Sequence, residues 1–136
     1  LYVWMMFGLS VASDGFALFF GMAFGKRKLI PRVSPNKTVA GAIGGFVGSL
    51  FAAAIIFLNS LYFGDGVPFW IFIVLALIGS LMTQVGDIVA SYIKRFCGVK
   101  DFGKIFPGHG GLLDRLDGIM YNAVALCIYL LILTVI

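Results

Sequence analysis

Glutamate is missing altogether from this 136-residue chain, so its six carboxylates are all aspartates. Histidine occurs once and cysteine twice. Charge is scarce: 12% of residues are charged, whereas soluble proteins carry roughly a quarter. A water-soluble domain of this size has no use for 61% hydrophobic residues and a mean hydropathy of +1.06. These figures exclude an ordinary soluble fold and predict an integral membrane protein. The cysteines, Cys97 and Cys127, fall into no metal or disulfide spacing, so free thiols are expected. No Walker loop is present, because no Gly-Lys-Ser/Thr follows a glycine at the required gap. The first apolar run lacks a basic start and contains Asp14, so a cleavable signal peptide is not expected. The net charge of +4 does not point to nucleic acid. The cations sit in two clusters that flank apolar runs, as the positive-inside rule and anionic headgroups require.

What is present is a set of apolar runs long enough to span a bilayer, which takes roughly 20 residues each. The expected architecture is all-α: a polytopic bundle of about four transmembrane helices near 1–24, 39–63, 68–96 and 115–136, forming a single membrane domain. Gly41, Gly44, Gly45 and Gly48 recur along one helix face, where small residues let a neighbouring helix approach closely. Residues 25–38 hold Pro31 and Pro35 and five cations with no acid, and read as a loop. Residues 59–67 read as a turn, with Asp65 between two glycines. Alternating spans then put the basic loops 25–38 and 97–114 on one side, the cytoplasmic side by the charge rule, and the 59–67 turn on the other.

Chemistry-bearing residues concentrate in 87–117, DIVASYIKRFCGVKDFGKIFPGHGGLLDRLD. It contains Asp87, Asp101, Asp114, Asp117, Lys94, Arg95, Lys100, Lys104, Arg115 and His109. Interleaved acids and bases suit a site that holds both metal ions and phosphate oxygens. Asp87, Ser91 and Lys94 share a helix face, with Asp87 about 12 Å below Arg95 along the axis. An Asp–Lys ladder that solvates the helix end is the plain alternative, although Asp87 lies deep for that. Asp114 and Asp117 share a face if their helix has begun by Asp114, which makes a plausible cation site. N-capping and the helix dipole also account for Asp114, and less well for Asp117. Gly110 and Gly111 beside His109 let backbone N–H groups approach an anion, and His109 could contact phosphate or exchange a proton. Asp14 lies about 15 Å inside the basic boundary, where it should face protein, water or a cation. A structural hydrogen bond to a neighbouring helix is its simpler reading. Ser34 and Lys37 precede a helix start, a setting that favours phosphate.

The run Ser91-x-x-Lys94-Arg95-x4-Lys100-Asp101-x-Gly103-x2-Phe106-Pro107-x-His109-Gly110-Gly111-x2-Asp114-Arg115-x-Asp117 resembles the signature of phosphatidate cytidylyltransferases, the CDP-diacylglycerol synthases. Phe24-Gly25-Lys26 with Ser34-Pro35-x-Lys37-Thr38 resembles a second block of that family. One departure is Ala40-Gly41, where the family has an acid soon after the Lys-Thr pair. The resemblance implies the reaction of CTP with phosphatidic acid to give CDP-diacylglycerol and pyrophosphate at the inner membrane. It implies Mg²⁺ dependence and a homodimer, and leaves open a second cation. It also implies several further helices ahead of this segment. On that reading Asp87, Asp114 and Asp117 are metal ligands, with Asp14 a candidate for the same cavity. Lys37, Lys94, Arg95, Lys100 and Arg115 hold phosphates, with Ser34 and Ser91 in the substrate site. Asp101 either joins the site or orients Lys100 or Arg95.

Two other classes stand beside this one. A CDP-alcohol phosphotransferase uses intramembrane aspartates, but in a D-G-x2-A-R…G-x3-D-x3-D pattern that Asp114 and Asp117 do not match. A transporter segment would use Asp14 and Asp87 as ion-pathway acids and carry out no chemistry.

Overall fold

The computed structural model describes residues 1–64, 66–99 and 112–135, with side chains described except at 112–117 and 133–135. Four helices make the bundle: α1 (Tyr2–Phe24), α2 (Val39–Phe63), α3 (Phe69–Phe96) and α4 (Leu112–Val135). Among the described residues α1, α2 and α3 are long and apolar enough to cross a membrane, and α4 contains the apolar stretch Gly118–Ile132. The chain is thus an all-α polytopic membrane protein. Bulky apolar side chains cover its outer surface, as a lipid-facing bundle requires: Trp4, Leu58, Trp70 and Leu131 are exposed.

The helix ends follow from local chemistry. Thr38, in an extended conformation, caps α2 by accepting a hydrogen bond from the Gly41 amide at 3.1 Å. Gly64 ends α2 with φ 74°, a left-handed conformation that glycine adopts without steric cost, and its amide donates to Ser60 O. Pro68 precedes α3, where its missing N–H is no loss. α3 ends one residue differently: Cys97 is its right-handed cap, and Gly98 follows at φ 71°, where Val99 N donates back to Lys94 O.

Residues 25–38 depart from the expected plain loop. They contain a short antiparallel hairpin, β1 (Lys28–Ile30) against β2 (Ser34–Thr38), with Lys28 opposite Thr38 and Ile30 opposite Ser34. Pro35 opposes a helix, but both strands of a two-stranded ribbon are edges, so a missing donor is tolerated.

The glycine stripe of α2 packs on α1. A β-carbon at Gly44 would stand 2.5 Å from Phe20 Cβ, and one at Gly48 would stand 2.5 Å from Ala12 O. Only hydrogen fits there. At the end of the bundle near the α2–α3 turn, the core is apolar: Met5, Leu9, Ala52, Ala53, Phe72, Leu75, Ala76 and Leu126. Phe57 packs edge-on against Phe72, with ring centroids 5.3 Å apart.

Candidate functional site at the hairpin end of the bundle

Toward the hairpin the interior changes character. Ser10, Ser13, Ser49, Ser80, Thr83 and Asn122 are buried where the helices cross mid-bundle. Several of them join helices directly. Ser13 Oγ and Ser80 Oγ lie 3.2 Å apart and link α1 to α3. Gln84 Nε2 donates to Ser80 Oγ and to Ala42 O, both at 3.1 Å, tying α3 to α2. Asn122 Nδ2 donates to Met6 O at 2.9 Å, tying α4 to α1. In hydrocarbon an unmatched polar group has no water to turn to, so these contacts fix the helix register.

That register determines where the acids fall. Ser10 on α1 and Thr83 on α3 both abut Gly118 on α4: a β-carbon at Gly118 would lie 2.8 Å from Thr83 Cγ2 and 3.3 Å from Ser10 Oγ. α1 and α3 run toward the hairpin end, and α4 runs away from it. One turn beyond Ser10 stands Asp14, one turn beyond Thr83 stands Asp87, and one turn before Gly118 stands Asp114. Aspartates from three helices therefore reach one level of the bundle, with Asp117 on the same end of α4.

Above this level lies a cationic rim. Lys37 of β2 forms an ion pair with Asp87, which joins the hairpin to α3. Arg95 Nε donates to Val33 O at 3.4 Å, a second tie between the same elements. Ser34, Lys37, Ser91 and Lys94 are half-buried and Arg95 is exposed. Lys26, Arg27, Lys28 and Arg32 of the hairpin segment are exposed at the same end.

The structure thus brings together Asp87, Lys37, Ser34, Ser91, Lys94 and Arg95. Asp14 shares the level of Asp87 but is exposed on the flank of α1, so burial within the described residues does not shield it. Asp114, Arg115 and Asp117 are described by backbone alone. Among the described residues α4 runs from Leu112, so Asp114 lies in its first described turn, where the helix dipole favours an acid. Lys100, Asp101, His109, Gly110 and Gly111 fall outside the described residues. Among the described side chains no three of His, Cys, Asp or Glu gather as a metal cluster; Asp14 and Asp87 are the acids so described. Shallow hollows near the α2–α3 turn, lined by residues such as Leu58, Phe57 and Leu61, are apolar and lie at the far end from this chemistry.

Sequence reasoning missed the Lys37–Asp87 pair and the mid-bundle hydroxyl and amide layer. The layer had a signal: Ser10, Ser13 and Asp14 on one span, and Ser80, Thr83, Gln84 and Asp87 on another, recur at helical spacing inside apolar runs. The pair had none, because nothing local links residue 37 to residue 87.

Fold and site together define a multi-pass helical membrane protein with aspartates at one level, beneath a cationic rim. The chain belongs to the cytidylyltransferase family, whose sequence model matches residues 1–133. It is 46% identical over 121 residues to a phosphatidate cytidylyltransferase of Staphylococcus aureus (strain COL), covering 88% of this chain and 45% of that protein. It is 44% identical over 128 residues to the phosphatidate cytidylyltransferase of Brucella abortus biovar 1 (strain 9-941), covering 91% of this chain and 44% of that one. A Staphylococcus saprophyticus relative of the same name is 40% identical over 120 residues. The chain therefore spans a little under half the length of these curated relatives.

Proposed function

We propose that this chain carries the nucleotide- and metal-binding part of a phosphatidate cytidylyltransferase, which joins CTP and phosphatidic acid into CDP-diacylglycerol and pyrophosphate. The observation that carries the reading is the common level of Asp14, Asp87 and Asp114, one turn beyond the Ser10–Thr83–Gly118 contact and under a rim of Lys37, Lys94 and Arg95. Family membership and the names of the relatives support it.

The donor set fits Mg²⁺. Every candidate ligand is a hard oxygen: the aspartate carboxylates, with the buried Ser10 and Thr83 hydroxyls one turn below. Those two hydroxyls have no hydrogen-bond partner among the described residues, so their lone pairs are uncommitted. Asp87, Asp114 and Asp117 would hold the ion, with Asp14 beside them. Bound there, it supplies charge neutralisation to a triphosphate and its leaving pyrophosphate.

The protein's own groups do the rest by positioning and electrostatics. A phosphatidate oxygen attacks the α-phosphorus of CTP in line. The new P–O bond forms as the bond to the β-phosphate bridge breaks, and pyrophosphate carries away the electron pair. Lys37, Lys94, Arg95, Lys100 and Arg115 hold phosphate oxygens, with Ser34, Ser91 and the Gly110–Gly111 amides as further donors. His109 contacts the phosphates, and Asp101 orients Lys100 or Arg95. Acyl chains remain in the bilayer while the headgroup reaches the rim.

This end of the bundle faces the cytoplasm at the inner membrane on the charge rule, since the described cations Lys26, Arg27, Lys28, Arg32, Lys37, Lys94 and Arg95 lie there. The functional unit is a homodimer. The open space beside Gly15 on the outer face of α1 supports this, because a small residue there lets another helix approach closely. The test is CTP-dependent pyrophosphate release by the full-length protein reconstituted with phosphatidate. Asp114→Asn and Asp117→Asn should abolish Mg²⁺-dependent product formation while the protein still folds. Undiminished turnover in both removes them from the metal site.

A further inference from the structure

The Lys37–Asp87 pair sets a conflict that the proposed function must resolve. Asp87 is a candidate ligand for a dication, yet here it is matched to an ammonium. Asp87 keeps 39% of its side chain exposed beside Lys37, so the ion pair does not enclose the carboxylate and leaves it open to another partner. A dication and an ammonium on one carboxylate repel each other. The two arrangements therefore compete.

Lys37 is built to leave. Its backbone is fixed, because β2 pairs with β1 and the next residue, Thr38, caps α2. Its side chain is a flexible four-carbon stem ending in a point charge, so the ammonium can swing while the strand stays still. Its side chain is 20% exposed, so part of it already reaches the surface of the bundle. A second cation stands at the same end of the bundle, since Arg95 reaches across to Val33 O of the hairpin.

Building on the function proposed above, we infer that Lys37 is an exchangeable counter-ion. It neutralises Asp87 in the substrate-free protein and transfers to the nucleotide triphosphate when Asp87 accepts the metal. No covalent bond changes. One consequence is ordered chemistry: metal alone meets an occupied carboxylate, whereas metal and nucleotide together satisfy both partners of the broken pair. Affinity for metal and affinity for triphosphate then depend on Lys37 with opposite signs.

The experiment measures the two affinities separately in the full-length detergent-solubilised protein. Mn²⁺ binding is followed by electron paramagnetic resonance without nucleotide, and CTP binding by equilibrium dialysis in EDTA. Lys37→Met should bind Mn²⁺ about tenfold more tightly than the unsubstituted protein and CTP about tenfold more weakly. Lys37→Arg, which pairs a carboxylate bidentately, should weaken Mn²⁺ binding instead, and it retains the charge if Lys37→Met folds poorly. A fixed structural tie would make Lys37→Met weaken both ligands together or change neither, and either result overturns the exchange. Asp87→Asn separates the two levels of the claim. If it abolishes Mn²⁺ binding while Lys37→Met leaves Mn²⁺ affinity unchanged, the exchange fails and the metal site survives. If Asp87→Asn binds Mn²⁺ as the unsubstituted protein does, both fail.

Discussion

The two ends of this bundle solve opposite problems with the same helices. Near the α2–α3 turn, Phe72, Leu75, Leu9 and Met5 fill the interior with hydrocarbon. Toward the hairpin, Ser13, Ser80, Gln84 and then Asp87 replace them on the same spans. Lipid is as apolar as leucine, so the first end gains little from the hydrophobic effect and is held by close packing. The second end is held by hydrogen bonds that a wrong register would leave unmade. The difference indicates that packing sets how near the helices lie, while the polar layer sets how they slide, and the sliding aligns the aspartates.

The largest effect expected belongs to the polar end. Asp87→Asn keeps shape and hydrogen-bonding capacity but removes the charge that both Lys37 and a metal require. Pyrophosphate release should fall on the order of 10²–10³-fold with the thermal midpoint close to that of the parent, since the acid is half-exposed. A loss of folded protein in place of activity would assign Asp87 to the scaffold. The mirror experiment belongs to the apolar end. Phe72→Ala deletes a fully buried ring, and the cost should be about 2 kcal/mol of stability, at the low end for such cavities because the unfolded helix still lies in lipid. Turnover per folded molecule should stay unchanged. If turnover falls as well, the two ends are not separable.

The fold was largely readable from the sequence, because a hydrocarbon slab imposes length and continuity on each span. Residues 39–63 and the glycines of α2 needed no three-dimensional information. The hairpin was not readable: proline excludes a helix, but it does not exclude an edge strand, and strands this short leave no alternating pattern. The grouping of the site was half readable. Asp87, Ser91 and Lys94 on one face follow from helical period alone. The Lys37 partner depends on how a loop folds back over α3, a long-range fact with no local trace. Asp14 shows the same limit, since period gives its depth but not which side of α1 is covered.

A glycine comparison tests the packing side at intermediate size. Gly48→Ala would set a methyl 2.5 Å from a carbonyl oxygen of α1, where backbone must move, and should cost about 1–3 kcal/mol. Gly15→Ala meets nothing within 4 Å inside this chain and should be neutral or stabilising by less than about 1 kcal/mol in the monomer. Denaturation in detergent measures both. If Gly15→Ala instead shifts the monomer–dimer balance seen by analytical ultracentrifugation, it marks the face where the second copy sits.

Thr83→Val gives the smallest shift and separates the two roles of the polar layer. Thr83 is buried, and its hydroxyl has no partner among the described residues. An orphaned buried hydroxyl is costly, so the isosteric valine should leave stability unchanged or raise it by about 1 kcal/mol. Were the layer only a register device, activity would be unaffected. We expect turnover to fall a few-fold while the protein becomes no less stable, with the Mg²⁺ concentration for half-maximal rate moving upward. Thr83 stands one turn below Asp87, and a hydroxyl kept there against its own stability cost is most simply explained by what binds above it. Serine at the same position should restore the Mg²⁺ response, because it returns the oxygen without the methyl.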